Sequence, residues 1–188
     1  MCPTHLTLPH MKGMNSAIAI LTQALRTVPD FPKPGIQFID ITPILQNAQL
    51  FRLVINLICE RYAKKRIDAV AGIDARGFIF GAAVACQLGV GFIPIRKKGK
   101  LPYKTIELSY DLEYGSNTIA IHEDAVLPGQ KVALVDDLLA TGGTAAAALN
   151  LLKQLDADVQ ESCFFIELSF LKGRELLGDS PCHSIITL

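Results

Sequence analysis

Residues 132–148, VALVDDLLATGGTAAAA, set an apolar run against an alanine-rich run, with two carboxylates and a Thr-Gly-Gly-Thr turn between them. A strand buried on both faces reads as continuous apolar sequence, and a helix of alanines packs close to a sheet, so the stretch is a strand, a turn and a helix of a covered α/β sheet. Sheets of that class hold ligands beyond the carboxyl ends of their strands, which puts Asp136 and Asp137 at the mouth of a site, where strand gives way to loop. An ionised carboxylate only accepts hydrogen bonds, so two of them suit a vicinal diol or a hydrated cation.

Thr141, Gly142, Gly143 and Thr144 then open the helix. Glycines let backbone N–H groups approach an anion, the threonine hydroxyls add donors, and a helix N-terminus favours negative charge. Acids and anion donors side by side describe a sugar-phosphate site. No lysine follows the glycines, which excludes the P-loop pattern. The plainer alternative is a turn in which aspartate serves only as a cap.

The rest of the chain repeats the alternation. Ser16 to Thr27 carries a helical stripe after the possible caps Asn15 and Ser16, and PDFPKPG stops it. Residues 36–41 alternate as a short strand, and Leu50, Phe51, Val54, Leu57, Ile58 and Tyr62 recur at helical spacing. IDAVAGI (67–73) is an apolar strand, followed by a helix to about Leu88, a strand from Val90, and the basic loop RKKGKLPYKT. NTIAIHE, KVALVDD and CFFIELS supply further strands. Strand and helix in turn predict an α/β fold around a largely parallel sheet covered on both faces.

A chain of 188 residues suits one well-cored domain with a small appended lobe. Half of it is hydrophobic and mean hydropathy is +0.33, which predicts apolar surface hidden in a homo-oligomer interface. Lys+Arg and Asp+Glu are both 18, so no global charge draws the chain to nucleic acid or to an anionic membrane. The basic loop has no aromatic interleaving, which also speaks against nucleic acid. Five scattered cysteines without ligand spacing indicate a reducing, cytoplasmic setting. Residues 77–95 lack charge for a membrane-spanning length, but Gln87, Gly89, Gly91 and Pro94 break them into a helix and a strand. Residues 1–14 have no periodicity and read as a disordered leader or a misplaced start, with Met11 and Met14 as candidate starts.

Several segments together resemble the type I phosphoribosyltransferases, and their adenine-using branch in particular. They are PDFPKPGIQFIDITPIL (29–45), GIDARGFIFG, IRKKGKLP, SYDLEYG, VDDLLATGGT and ELSFLKGRE. The resemblance implies one phosphoribosyltransferase domain over 15–188, whose small N-terminal lobe, about 15–45, forms a hood over the base site. It implies purine salvage by a cytoplasmic homodimer: transfer of 5-phosphoribosyl from phosphoribosyl pyrophosphate (PRPP) to N9 of adenine, giving AMP and pyrophosphate with inversion.

The resemblance also assigns roles. Asp136 and Asp137 face the ribose diol, with Ala140, Thr141, Gly142, Gly143 and Thr144 around the phosphate. Arg76 and Arg96 lie near pyrophosphate, and Lys97 and Lys100 add cations there. Mg²⁺ accompanies PRPP and reaches Asp136 or Asp137 through water. The Asp74–Ala75 peptide is often cis in this family. Phe38 and Leu138 sandwich the base, and the backbone near Gln37 and Ile39 reads its edge; many relatives carry arginine at the place of Ile39. Glu113 assists at purine N7 on a segment that closes over the site with Tyr103 and Tyr114. Ala140 stands where hypoxanthine-guanine relatives have aspartate, which favours adenine over the other purines. His122 and His183 read as core or surface residues, and Cys86 as packing. A different class, a non-catalytic PRPP sensor, would need a DNA-binding module for which the N-terminal extension has neither length nor charge.

Overall fold

A computed structural model describes residues 12–111 and 116–188, in two compact units that divide between Asn56 and Leu57. The first unit opens with helix α1 (Lys12–Ala24), then strands β1 (Arg26–Pro29) and β2 (Gln37–Asp40) and the short helix α2 (Thr42–Gln46). The expected first helix is displaced. It begins at Lys12, so Asn15 and Ser16 lie inside it instead of capping it, and it ends at Ala24. The residues expected to finish it form β1 instead, because Thr27 and Val28 are β-branched and pair antiparallel with Ile39 and Phe38. Arg26 stands opposite Asp40 in that ladder, with an ion pair at 3.6 Å. Between the strands the Asp30 side chain accepts from the Gly35 N–H at 2.7 Å and closes the proline-rich turn.

Helix α3 (Ala48–Tyr62) leads into the second unit, which is built on a seven-stranded sheet. Its strands are β3 (Ala69–Ile73), β4 (Gly91–Lys97), β5 (Thr105–Asp111), β6 (Ser116–His122), β7 (Lys131–Leu139), β8 (Asp158–Glu167) and β9 (Cys182–Thr187). They lie in the order β5-β6-β4-β3-β7-β8-β9. The run from β4 to β9 is parallel, and β5 and β6 form an antiparallel hairpin on the β4 edge.

Helices α4 (Arg76–Leu88) and α5 (Gly143–Gln154) cover opposite faces. Neighbouring side chains of a strand point to opposite faces, and β8 shows the division. Phe164 belongs to the core that α5 fills with Ala147, Ala148, Leu151 and Leu152, whereas Phe165 meets Phe80 of α4 at 5.7 Å between ring centroids. A methyl on Gly72 or on Gly81 would lie 2.8 Å from the Phe92 ring, so α4 crosses β3 at glycine-only distance. No helix among the described residues is long and apolar enough to cross a membrane. Residues 77–95 are α4, a left-handed cap at Gly89 (φ 71°) and β4.

Candidate active site

β3 and β7 are adjacent parallel strands, so the turn after β3 and the carboxyl end of β7 share one edge of the sheet. Between them is a cavity of about 330 Å³, lined by residues 73–76 and 136–142 with Thr144 and Ala145. The acids, expected where the strand gives way to loop, lie two to three residues before its end: β7 continues to Leu139, with Asp136 opposite Phe164 and Leu138 opposite Ile166 of β8. Pairing with β8 extends the ladder past the apolar run.

Arg76, the first residue of α4, brings Nε to 2.9 Å from Asp137 Oδ2. Asp136 Oδ1 accepts from the Asp137 N–H at 2.9 Å and lies where a side chain on Gly77 would have to go. Burial, then the Asp137 charge beside it, pushes the Asp136 carboxyl well above the usual range. Burial also raises Asp137, with Arg76 working against it. Two acids that are costly to ionise in an open cavity gain most from a ligand that brings hydroxyl donors or a cation.

The Asp74–Ala75 peptide is cis. Arg96 is drawn to this turn but not into the cavity lining. Its Nε donates to Asp74 Oδ2 at 3.0 Å, its Nη1 donates to the Lys100 carbonyl at 3.0 Å, and its guanidinium lies 5.9 Å over the Phe78 ring. Arg96 thereby joins the Asp74 turn to the basic loop, and the exposed Lys97 and Lys100 also lie outside the lining. Asp74, on which this arrangement depends, carried no signal beyond its place in GIDARG.

Thr141, Gly142 and Thr144 form another wall. Gly142 caps α5 in a left-handed conformation (φ 86°) without a side-chain cap, so no side chain takes up the first N–H groups of α5. Thr144 Oγ1 is 2.8 Å from Tyr110 Oη, which ties the end of β5 to the head of α5. Tyr110 and Gly173, which touches the turn from outside, were not picked out in the sequence.

Of the residues the sequence assigns to the base, Leu138 lines the cavity, while Gln37, Phe38 and Ile39 lie in β2 of the first unit. Phe38 meets Phe31 edge to face at 5.1 Å. Tyr103 is exposed and meets His122 at 6.0 Å. Glu113 and Tyr114 lie outside the described residues. Cys86 is exposed on α4, a correction to its reading as a packing residue. Burial pushes Cys59 and Cys182 up to about 11 and Cys163 to about 12, so these thiols stay protonated at neutral pH and serve packing.

The phosphoribosyl transferase domain family matches residues 40–175, and the chain belongs to that family. Relatives and solved structures similar to it are adenine phosphoribosyltransferases. An adenine phosphoribosyltransferase of Methylacidiphilum infernorum is 53% identical over 92% of this chain and 97% of its own length. The crystal structure of adenine phosphoribosyltransferase from Thermoanaerobacter pseudethanolicus superposes with a TM-score of 0.88 at 46% identity, over 91% of this chain and 99% of that one. The Saccharomyces cerevisiae enzyme, solved with an imino-altritol bisphosphate and adenine, gives 0.86 at 42% identity, over 91% and 99%.

Proposed function

We propose that this chain transfers the 5-phosphoribosyl group of PRPP to N9 of adenine, forming AMP and pyrophosphate in purine salvage. The observation that carries the reading is a cavity with a buried acid pair on its floor and an uncapped Gly-Gly helix start on its wall, in a chain about half identical to adenine phosphoribosyltransferases.

Asp136 and Asp137 accept hydrogen bonds from the ribose 2′ and 3′ hydroxyls. The N–H groups and hydroxyls of Thr141 to Thr144 take the 5′-phosphate. Arg76 faces the pyrophosphate, and Arg96, Lys97 and Lys100 add positive charge on the same side. As the C1′–O bond breaks, its electron pair leaves with pyrophosphate and N9 bonds to C1′. Cations at the leaving group stabilise that separation more than they stabilise the ground state.

Magnesium belongs to the substrate in this reading. The donors are hard oxygens, and among the described residues no cluster of three His, Cys, Asp or Glu forms a metal site of its own. Asp136 and Asp137 would hold the hydrated ion, which neutralises charge on PRPP. Phe38 and Leu138 hold the base, with the backbone of Gln37 and Ile39 at its edge. Glu113 takes the proton that N7 of adenine gives up as N9 bonds to C1′, while Tyr103 and Tyr114 help exclude water. Ala140 lines the cavity and offers no carboxylate to a 6-oxopurine. A cytoplasmic homodimer belongs to the same reading, supported by exposed apolar side chains such as Leu127 and Phe170.

The test is pyrophosphate release with PRPP and Mg²⁺ and, separately, adenine, hypoxanthine, guanine and xanthine. Release with adenine alone is expected. Release with another base overturns the base reading, and PRPP binding without turnover overturns catalysis.

A further inference from the structure

Gly173 packs against the cavity wall formed by residues 140–142. A methyl on Gly142 would collide with the Gly173 carbonyl oxygen and lie 2.8 Å from its carbonyl carbon. A methyl on Gly173 would collide with the Ala140 carbonyl oxygen and lie 2.8 Å from the Gly142 nitrogen. Two backbones thus touch with no side chain between them, and the position of one sets the position of the other.

Gly173 starts the 3-10 turn Gly173–Leu177, and the next residue, Arg174, fixes that turn to the sheet. Its Nε donates to Glu167 Oε1 at 3.0 Å, its Nη2 donates to Glu167 Oε2, and its Nη1 donates to the Cys182 carbonyl at 2.7 Å. Ser184 Oγ donates to Glu167 Oε2 at 2.7 Å and accepts from Arg174 Nη2 at 3.3 Å. Glu167, only 6% exposed, ends β8 directly opposite Leu139 of β7. None of these side chains lines the cavity.

We infer that Arg174 is a positioning residue for the sugar-phosphate turn: gripped by Glu167, Ser184 and the Cys182 carbonyl, it holds Gly173 as the backstop for residues 140–142. The inference rests on the reading of that turn as the PRPP phosphate site. A fork of guanidinium donors specifies orientation as well as distance, which an ammonium group does not. Loosening the grip lets the turn drift, and small displacements of a binding wall have large effects on affinity. The acid pair and the base residues are untouched, so the effect falls on PRPP alone.

The experiment compares the wild-type chain with Arg174→Lys and Ser184→Ala. It measures the PRPP Kd by titration calorimetry, both KM values, kcat and Tm. Arg174→Lys is expected to raise the PRPP Kd and KM roughly tenfold, and Ser184→Ala about threefold. The adenine KM, and kcat at saturating PRPP, should stay within about twofold. A folded variant with unchanged PRPP Kd overturns the inference. So does a parallel decline of kcat and both substrates' kcat/KM that tracks a loss of Tm, since that is a structural role only. If Arg174→Lys does not fold, Ser184→Ala decides by the same criteria. Failure of the reading of the turn as a PRPP site is distinguishable, because then the wild-type chain itself binds no PRPP.

Discussion

Arg76 Nε lies 2.9 Å from Asp137 Oδ2, so the cavity's own guanidinium answers one acid, while Asp136 next to it faces a second carboxylate. Burial and that neighbour raise the Asp136 carboxyl in the folded state. A carboxyl with a raised folded pKa favours folding below its unfolded value of about 4, and that contribution is lost as pH rises through the folded value. Asp136→Asn keeps an oxygen for the Asp137 N–H but cannot ionise. Its Tm should exceed the wild-type value by about 2–4 °C at pH 8, and the gain should disappear toward pH 4. Its kcat/KM for PRPP should fall at least about 100-fold, because the diol loses a charged acceptor. Calorimetry at both pH values and a PRPP titration check the two halves, and a variant no more stable at pH 8 would contradict the buried-acid account.

Tyr110 Oη and Thr144 Oγ1, 2.8 Å apart, link the hairpin to the head of α5. Tyr110→Phe keeps the ring and removes the hydroxyl. A hydrogen bond of this kind is worth about 1 kcal/mol, so the PRPP KM should rise about five-fold. The adenine KM should not move. Equal changes in both constants would show that Tyr110 supports the fold in general and not the orientation of Thr144.

The elements that surround the cavity were the legible ones. A parallel strand buried on both faces has nothing to declare except apolar sequence, so β3, β7 and β8 stand out, and the turns that follow them carry glycine, acid and threonine for stated reasons. The edges were less legible. β5 and β9 have mixed composition because one flank of each lacks a partner strand, and β1 is only four residues long. Gly173 and Arg174 were visible only as part of ELSFLKGRE, because a backbone contact with Gly142 across about thirty residues leaves no local pattern to read. The Arg96–Asp74 pair is of the same kind: each residue has a motif, but their meeting depends on β3 and β4 lying side by side.

Gly142 and Gly129 have nearly equal backbone angles, φ 86° and 76°, but different surroundings. A side chain on Gly129 meets open space, whereas one on Gly142 meets the Gly173 backbone. Gly129→Ala should cost about 1 kcal/mol of left-handed strain and leave activity intact. Gly142→Ala adds a backbone collision. It should cost about 3 kcal/mol or more and abolish PRPP binding in whatever fraction folds. Urea unfolding and PRPP titration of the two variants check this; equal costs would mean that residues 140–142 and Gly173 can separate freely.

Far from the cavity, Glu161 of β8 is 2% exposed and bound by Arg61 through Nε at 2.5 Å and Nη2 at 2.6 Å, with Lys65 at 3.3 Å. Burial works upward on its carboxyl, but the Arg61 hydrogen bonds and charge, with Lys65, outweigh it and hold the group below its ordinary value. For a depressed carboxyl the stabilisation is present above the unfolded pKa and is lost as pH falls through the folded one. Glu161→Gln should therefore lower Tm at pH 7, and the gap to wild type should begin to close as the pH drops below the unfolded value of about 4.3 and vanish once the depressed folded carboxyl is protonated as well. Arg61→Met should cost more, about 3 kcal/mol, because it leaves a buried carboxylate with Lys65 alone. In both variants the folded enzyme should keep its KM values, since the pair lines no part of the cavity. A change in the PRPP KM with Tm unaltered would instead tie this ion pair to the site.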